Sequence, residues 1–169
     1  MCQDKIISAF LNKAFGIFKG ANLVLPKEAT VHIYHHCGKE KIDETGAMFI
    51  NVVNRDYCKS YVIMLPHEGY PNHYHRIKIE SFYVLYGDLE VLVNGVETDL
   101  AAGDMIHIDR GQDHSFCSRA GVVFEEISTM YVPNDSFYLD TNVQNTTYEQ
   151  SRTKIKAKEW RELSRAWIK

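Results

Sequence analysis

His73 and His75 lie one residue apart in Gly69-Tyr70-Pro71-Asn72-His73-Tyr74-His75. Side chains of an extended segment alternate with period two, so both imidazoles face the same side. A carboxylate, Glu80, opens the apolar run that ends at Gly87, and a further imidazole, His114, follows in the segment that starts at Gly103. Three imidazoles and one carboxylate suit a borderline divalent ion such as Mn, Fe, Co, Ni or Zn. Four protein ligands also leave room on a six-coordinate ion for a bidentate substrate. A single His-x-His is more often a surface pair beside a turn; the full set points to a metal centre.

A second candidate lies in Gly121-Val122-Val123-Phe124-Glu125-Glu126-Ile127-Ser128-Thr129. Two adjacent carboxylates in a strand face opposite sides, and periodicity does not say which one turns inward. An inward carboxylate in a half-dry cavity has a raised pKa and can act as a general base; otherwise it is a structural ion-pair partner. Phe82 and Val84 share the face of Glu80 and read as pocket wall, whereas Tyr74 and Arg76 alternate away from it. Lys78 reads as a solvated lysine in the loop before Glu80. His107, between Ile106 and Ile108, reads as structural, and His35-His36 ends the first strand without a chemical assignment.

These residues need a frame of short strands. Strands are expected at 30–35, 46–54, 58–65, 72–75, 80–86, 89–94, 96–100, 104–108, 113–118 and 121–130. Tyr86-Gly87-Asp88 and Asn94-Gly95 read as hairpin turns, with further turns at Gly103 and Gly111. Residues 3–18 set Ile6, Ile7, Phe10, Leu11, Ala14, Phe15 and Phe18 at helical spacing, an amphipathic helix that caps the strands or meets a second subunit. Residues 131–150 are polar and turn-rich, and a closing helix is expected at 154–168 with Trp160, Leu163 and Trp167 on one face. The expected organisation is one domain over 1–169: a helical segment (1–25), a β-barrel (28–130), and a polar loop with a C-terminal helix (131–169).

The chain has 169 residues, 45% apolar and 24% charged, with a net charge of -3. Such a balance suits a globular protein with one core and gives no basic field for nucleic acid. Cys2, Cys37, Cys58 and Cys117 form no C-x-x-C pair and read as free thiols, although Cys58 and Cys117 could meet across a sheet. Asp4, Lys5 and Lys13 interrupt the N-terminal apolar pattern, so neither a signal peptide nor a membrane span is expected, and the expected location is the cytoplasm.

The glycine-bounded histidine segments resemble the two motifs of the cupin family, G-x5-H-x-H-x(3,4)-E-x6-G and G-x5-P-x-G-x2-H-x3-N. His73, His75, Glu80 and Gly87 fit the first, although Gly69 precedes His73 by three residues instead of five. Gly103, Gly111 and His114 fit the second, with Asp109 replacing its proline and Ser118 its asparagine. The resemblance implies an all-β fold: a cupin double-stranded β-helix, or jelly-roll barrel, with N- and C-terminal helices. From about Ala21 to Asp140 the chain also resembles small cupin D-lyxose isomerases and the cupin modules of sialic-acid-synthase-type enzymes. The segments Asn51–Lys59, Phe124–Thr129 and Asn134–Asp140 carry that likeness.

For the isomerases the resemblance implies aldose–ketose isomerisation of a D-lyxose-type sugar through an enediol(ate). His73, His75, Glu80 and His114 would hold a divalent metal, Mn by preference, and Glu126 would be the base. The implied partners are a small carbohydrate and a second copy in a homodimer, with neither nucleic acid nor membrane. Two alternatives follow from the same likeness. One is a non-catalytic sugar-binding module tied to surface-polysaccharide or sialic-acid-like synthesis; the other is a cupin oxygenase using the same ligands.

Overall fold

The computed structural model describes residues 4–24 and 26–167. Asp4 accepts hydrogen bonds from the Ile6 and Ile7 amides (3.0 and 3.3 Å) and so starts α1, Lys5–Gly20. Satisfying the otherwise unpaired first-turn amides is what makes aspartate a good N-cap. The helix runs through Gly16, two residues beyond its expected end, and the expected first residue, 3, lies outside the described residues.

Eleven strands follow among the described residues: β1 Thr30–His35, β2 Gly46–Asn54, β3 Tyr57–Met64, β4 Gly69–Tyr74, β5 Glu80–Val93, β6 Val96–Ala101, β7 Met105–Ile108, β8 His114–Cys117, β9 Val122–Thr129, β10 Phe137–Tyr138 and β11 Arg152–Ile155. One sheet runs β7–β5–β9–β3–β2–β1–β11 and the other β10–β4–β8–β5–β6, all antiparallel. The fold is the expected jelly-roll barrel with terminal helices.

β5 belongs to both sheets, and this corrects the expected turn at Tyr86-Gly87-Asp88. Its first half pairs with β7 and β9 and its second half with β6 and β8. The register slips between Val84 and Tyr86, and Gly87 takes a φ of +82°. A β-carbon at Gly87 would sit 1.9 Å from the Gly121 carbonyl oxygen, so only glycine lets the strand bend there. A positive φ serves a bulge as well as a turn, and bulges carry strands round barrel corners.

The second correction concerns residues 131–169. β10 pairs with β4 and β11 with β1, so both sheets gain a strand from a stretch expected to be loop and helix. Residues 154 and 155 end β11, and the last helix, α4, spans Ala157–Trp167. Between β10 and β11 lie two one-turn helices, α2 Thr141–Gln144 and α3 Tyr148–Ser151. The side chain of Trp167 lies outside the described residues, as does Cys2; Cys37, Cys58 and Cys117 are free thiols.

Strand alternation splits the apolar residues into two layers. Outward, Ile33, Met48, Ile50, Ile63 and Val123 join Phe10, Leu11 and Phe18 of α1 and Trp160 of α4 in one buried cluster. The apolar face of α1 is thus used within the chain, covering a sheet. Inward, Phe49, Val62, Phe82, Val84, Leu89, Phe116 and Phe124 fill the space between the sheets. No helix of the described residues is long and apolar enough to cross a membrane.

Candidate metal centre

His73 lies on β4 directly opposite His114 on β8, and their rings are 4.2 Å apart. His75 follows the last residue of β4, and Glu80 is the first residue of β5. All four side chains are buried, and one ligand atom from each lies within 4.8 Å of the others.

The ring orientations are set from behind. Nδ1 of His73 donates to the Pro71 carbonyl (2.9 Å), that of His75 to the Asp135 carbonyl (2.7 Å), and that of His114 to the Gln112 carbonyl (3.1 Å). A carbonyl only accepts, so each Nδ1 carries its proton and each Nε2 keeps a lone pair. The Nε2 atoms of His75 and His114 stand 3.4 and 3.1 Å from Glu80 Oε2, yet all three atoms are buried without a hydrogen bond. Lone pairs converging on a buried carboxylate are unfavourable until a cation lies between them. Backbone carbonyls holding the far ring nitrogens are the usual support of metal-binding histidines. The donor set fits a divalent transition ion.

Residues 60–124 match the family model of the cupin domain. The chain carries a cupin domain. No curated protein sequence matches it. Among solved structures, this cupin resembles the L-ribose isomerase of Cellulomonas parahominis with a TM-score of 0.67 at 14% identity, over 83% of this chain and 94% of that one. It resembles the L-ribose isomerase of Geodermatophilus obscurus with a TM-score of 0.66 at 15% identity, over 82% and 93%. KdgF of Halomonas sp. matches with a TM-score of 0.50 at 17% identity, over 52% and 82%. At such identities the likeness is one of fold.

His73, His75 and Glu80 of the candidate set border a cavity of about 700 Å³ between the sheets. Tyr34, His36, Phe49, Tyr70 and Tyr138 form an aromatic wall of this cavity, and Tyr138 stacks on His73 with ring centres 5.3 Å apart. Burial and the nearby Arg152 drive the His36 pKa down to about 3, so that ring is a neutral part of the wall.

The pair at 125 and 126 is resolved by the packing. Glu126 lies on the inward face with Phe124 and Ser128 and borders the cavity, whereas Glu125 turns outward to Lys59 (2.7 Å). Burial holds the Glu126 carboxyl above the ordinary range, and the positive charge of Lys78 offsets part of that rise.

Lys78 departs from its sequence reading. Its ammonium is not solvated but turned inward, with Nζ paired to Glu80 Oε1 and 3.2 Å from Glu126 Oε1. Burial works against that charge, but the two carboxylates prevail and raise its pKa. Lys78 thus joins the ligand set to the candidate base. Its even spacing from Glu80 and Phe82 was the available signal, although strand alternation begins only at residue 80. Tyr138 and Asp135 lie in a segment marked only by the isomerase likeness, with no role assigned, because strand pairing and loop contacts bring them to the site from far along the chain. His107 bonds Ser81 Oγ (2.8 Å) on the outer face, away from the cavity.

Proposed function

We propose that this cupin is a metal-dependent aldose–ketose isomerase acting on a D-lyxose-type sugar, with Glu126 as the proton carrier. One observation carries the reading. A buried, inward carboxylate faces the same cavity as the ligand set and is joined to it by a single ammonium group. A binding module needs no such base. The L-ribose isomerase likeness supports the reading at the level of fold.

His73, His75, Glu80 and His114 would hold the ion, manganese by preference. Bound there, a divalent ion supplies Lewis-acid polarisation of the sugar carbonyl and its neighbouring hydroxyl. Glu126 takes the proton from C2 of the open-chain aldose, leaving an enediolate, and returns it to C1. A proton moves from O2 to O1, and the ketose results with no net change in atoms or electrons. The raised pKa of Glu126 makes it a better base than an exposed carboxylate. Lys78 holds Glu126 oriented through its 3.2 Å contact and balances the second carboxylate. The aromatic wall keeps bulk water from the enediolate. Assembly as a homodimer belongs to the same proposal and is checked by sedimentation.

The test is anaerobic incubation of the Mn-loaded protein with pentoses and hexoses in D2O. The expected result is a ketose bearing deuterium at C1, formed about 100- to 10,000-fold more slowly by Glu126→Gln, which retains its metal. No turnover of any aldose with any of the candidate metals overturns the isomerase. Product that forms only with iron and O2 assigns an oxygenase instead.

A further inference from the structure

We infer that Asp135 is a positioning residue that clasps the loop between His75 and Glu80 and thereby holds Lys78 and His75 in place. The loop of residues 75–79 carries the last histidine of the first pair, the inward lysine and the approach to the metal-binding carboxylate. Its backbone turns three consecutive amides toward one side chain. Asp135 Oδ1 accepts from Arg76 N (3.0 Å) and Ile77 N (3.2 Å), and Oδ2 accepts from Ile77 N (3.1 Å) and Lys78 N (2.9 Å). The main-chain carbonyl of the same residue accepts from Nδ1 of His75 at 2.7 Å. Successive amides converging on an anion form an anion-binding nest, and here the anion is built into the chain. The carboxylate is buried, so water does not replace it at those amides.

The segment that carries Asp135 also meets this loop where the Arg76 guanidinium lies over the Phe137 ring, 4.3 Å from its centre. Asn134, just before it, has a φ of +61°, a left-handed conformation that asparagine tolerates. Beyond it, β10 pairs Phe137 and Tyr138 with Tyr74 and His73, and Leu139 N donates to the Asn72 carbonyl (3.0 Å). The segment therefore runs back along the metal-binding strand, and Asp135 ties it to the loop. Other bonds hold the carbonyl side of the same loop: Gly111 N to His75 O (2.7 Å) and Arg110 Nε to Ile77 O (2.6 Å). Asp135 holds the amide side. With Lys78 N pinned, its side chain reaches inward to Glu80 and Glu126. With Asp135 O in place, the His75 ring keeps Nε2 toward the other ligands.

The catalytic part of this inference rests on the isomerase reading; the structural part does not. Asn at 135 keeps the size but replaces one acceptor oxygen with an NH2 donor, which faces backbone amides. Asp135→Asn is expected to speed hydrogen exchange of the Arg76, Ile77 and Lys78 amides, while exchange in β2 and β3 stays unchanged. It is also expected to lower kcat about 10- to 100-fold with a smaller change in KM, as loss of a supporting bond at such sites does. In a Lys78→Met background the same change is expected to cost several-fold less, because only the part that acts through His75 remains. Asp135→Ala is expected to weaken Mn2+ binding by about tenfold through the looser His75 ring.

Equal losses from Asp135→Asn in both backgrounds overturn the link to Lys78. Unchanged exchange of the three amides overturns the clasp itself. Should Asp135→Asn fail to fold, Asp135→Ser, with one acceptor, carries the same tests. If the wild-type protein isomerises no sugar, the isomerase proposal fails, and amide exchange and Mn2+ affinity still decide the clasp.

Discussion

Outward from β3 and β9, Ile63 and Val123 join Phe10, Leu11 and Phe18 in a dry layer under the helices. Inward from the same two strands, Ser60, Glu126 and Ser128 border the cavity with the histidines and Lys78. The two faces differ in what burial does. Under the helices each apolar side chain removed from water stabilises the fold. On the cavity side, burial of Glu126, Lys78 and Glu80 works against folding and is offset only by their mutual pairing. Features that oppose stability but are kept in register are the mark of a site. One sheet thus carries the stability on one face and the chemistry on the other.

Substitutions should separate along that division. The largest effect is expected from His73→Ala/His114→Ala on the inner face: mass spectrometry should find no bound metal, and turnover should vanish. Retained stoichiometric metal would remove this centre. Glu126→Gln should keep the metal and lose about 100- to 10,000-fold in turnover, measured by ketose formation. On the outer face, Phe10→Ala should lower stability by about 3–5 kcal/mol in urea unfolding, leaving turnover per folded molecule unchanged. A fall in kcat at constant stability would break the division.

Glu68 tests the boundary, since it lies between Leu65 of the outer layer and Tyr70 of the inner one. Burial pushes its pKa from the ordinary 4.5 up to about 8. The folded chain therefore binds this proton more tightly than the unfolded chain. The resulting stabilisation is full below about pH 4.5 and is lost as pH rises to about 8. Glu68→Gln should raise stability at pH 9 by a few kcal/mol and change it little at pH 4, read from thermal melts. The smallest effect is expected from Glu125→Gln. Its partly exposed pair with Lys59 should contribute no more than about 1 kcal/mol, with turnover unchanged. A large loss of turnover there would reverse the assignment of the two adjacent carboxylates.

Much of this was legible along the chain. The spans of β1 and β2 follow directly from alternation and turn residues. Gly87 was visible as a break, but a positive φ suits a hairpin and a bulge equally, and only the register slip of β5 against β9 decides for the bulge. β10 and β11 were hidden because a short edge strand in polar sequence is defined by its partner, here β4 and β1. The inward turn of Lys78 was hidden for a related reason: its two carboxylates lie on different strands, one of them distant in the sequence.

The sequence by itself singled out the four candidate ligands, His73, His75, Glu80 and His114. His-x-His in a strand shares a face by period two, and Glu80 and His114 stand at strand starts. It also determined that either Glu125 or Glu126 must turn inward. The tertiary structure alone decided which one, because alternation sets the period of a strand but not its phase. The phase depends on which face the helices cover. The tertiary structure also brought Asp135 to the loop beside His75, a contact between residues far apart in the chain, which no local pattern encodes.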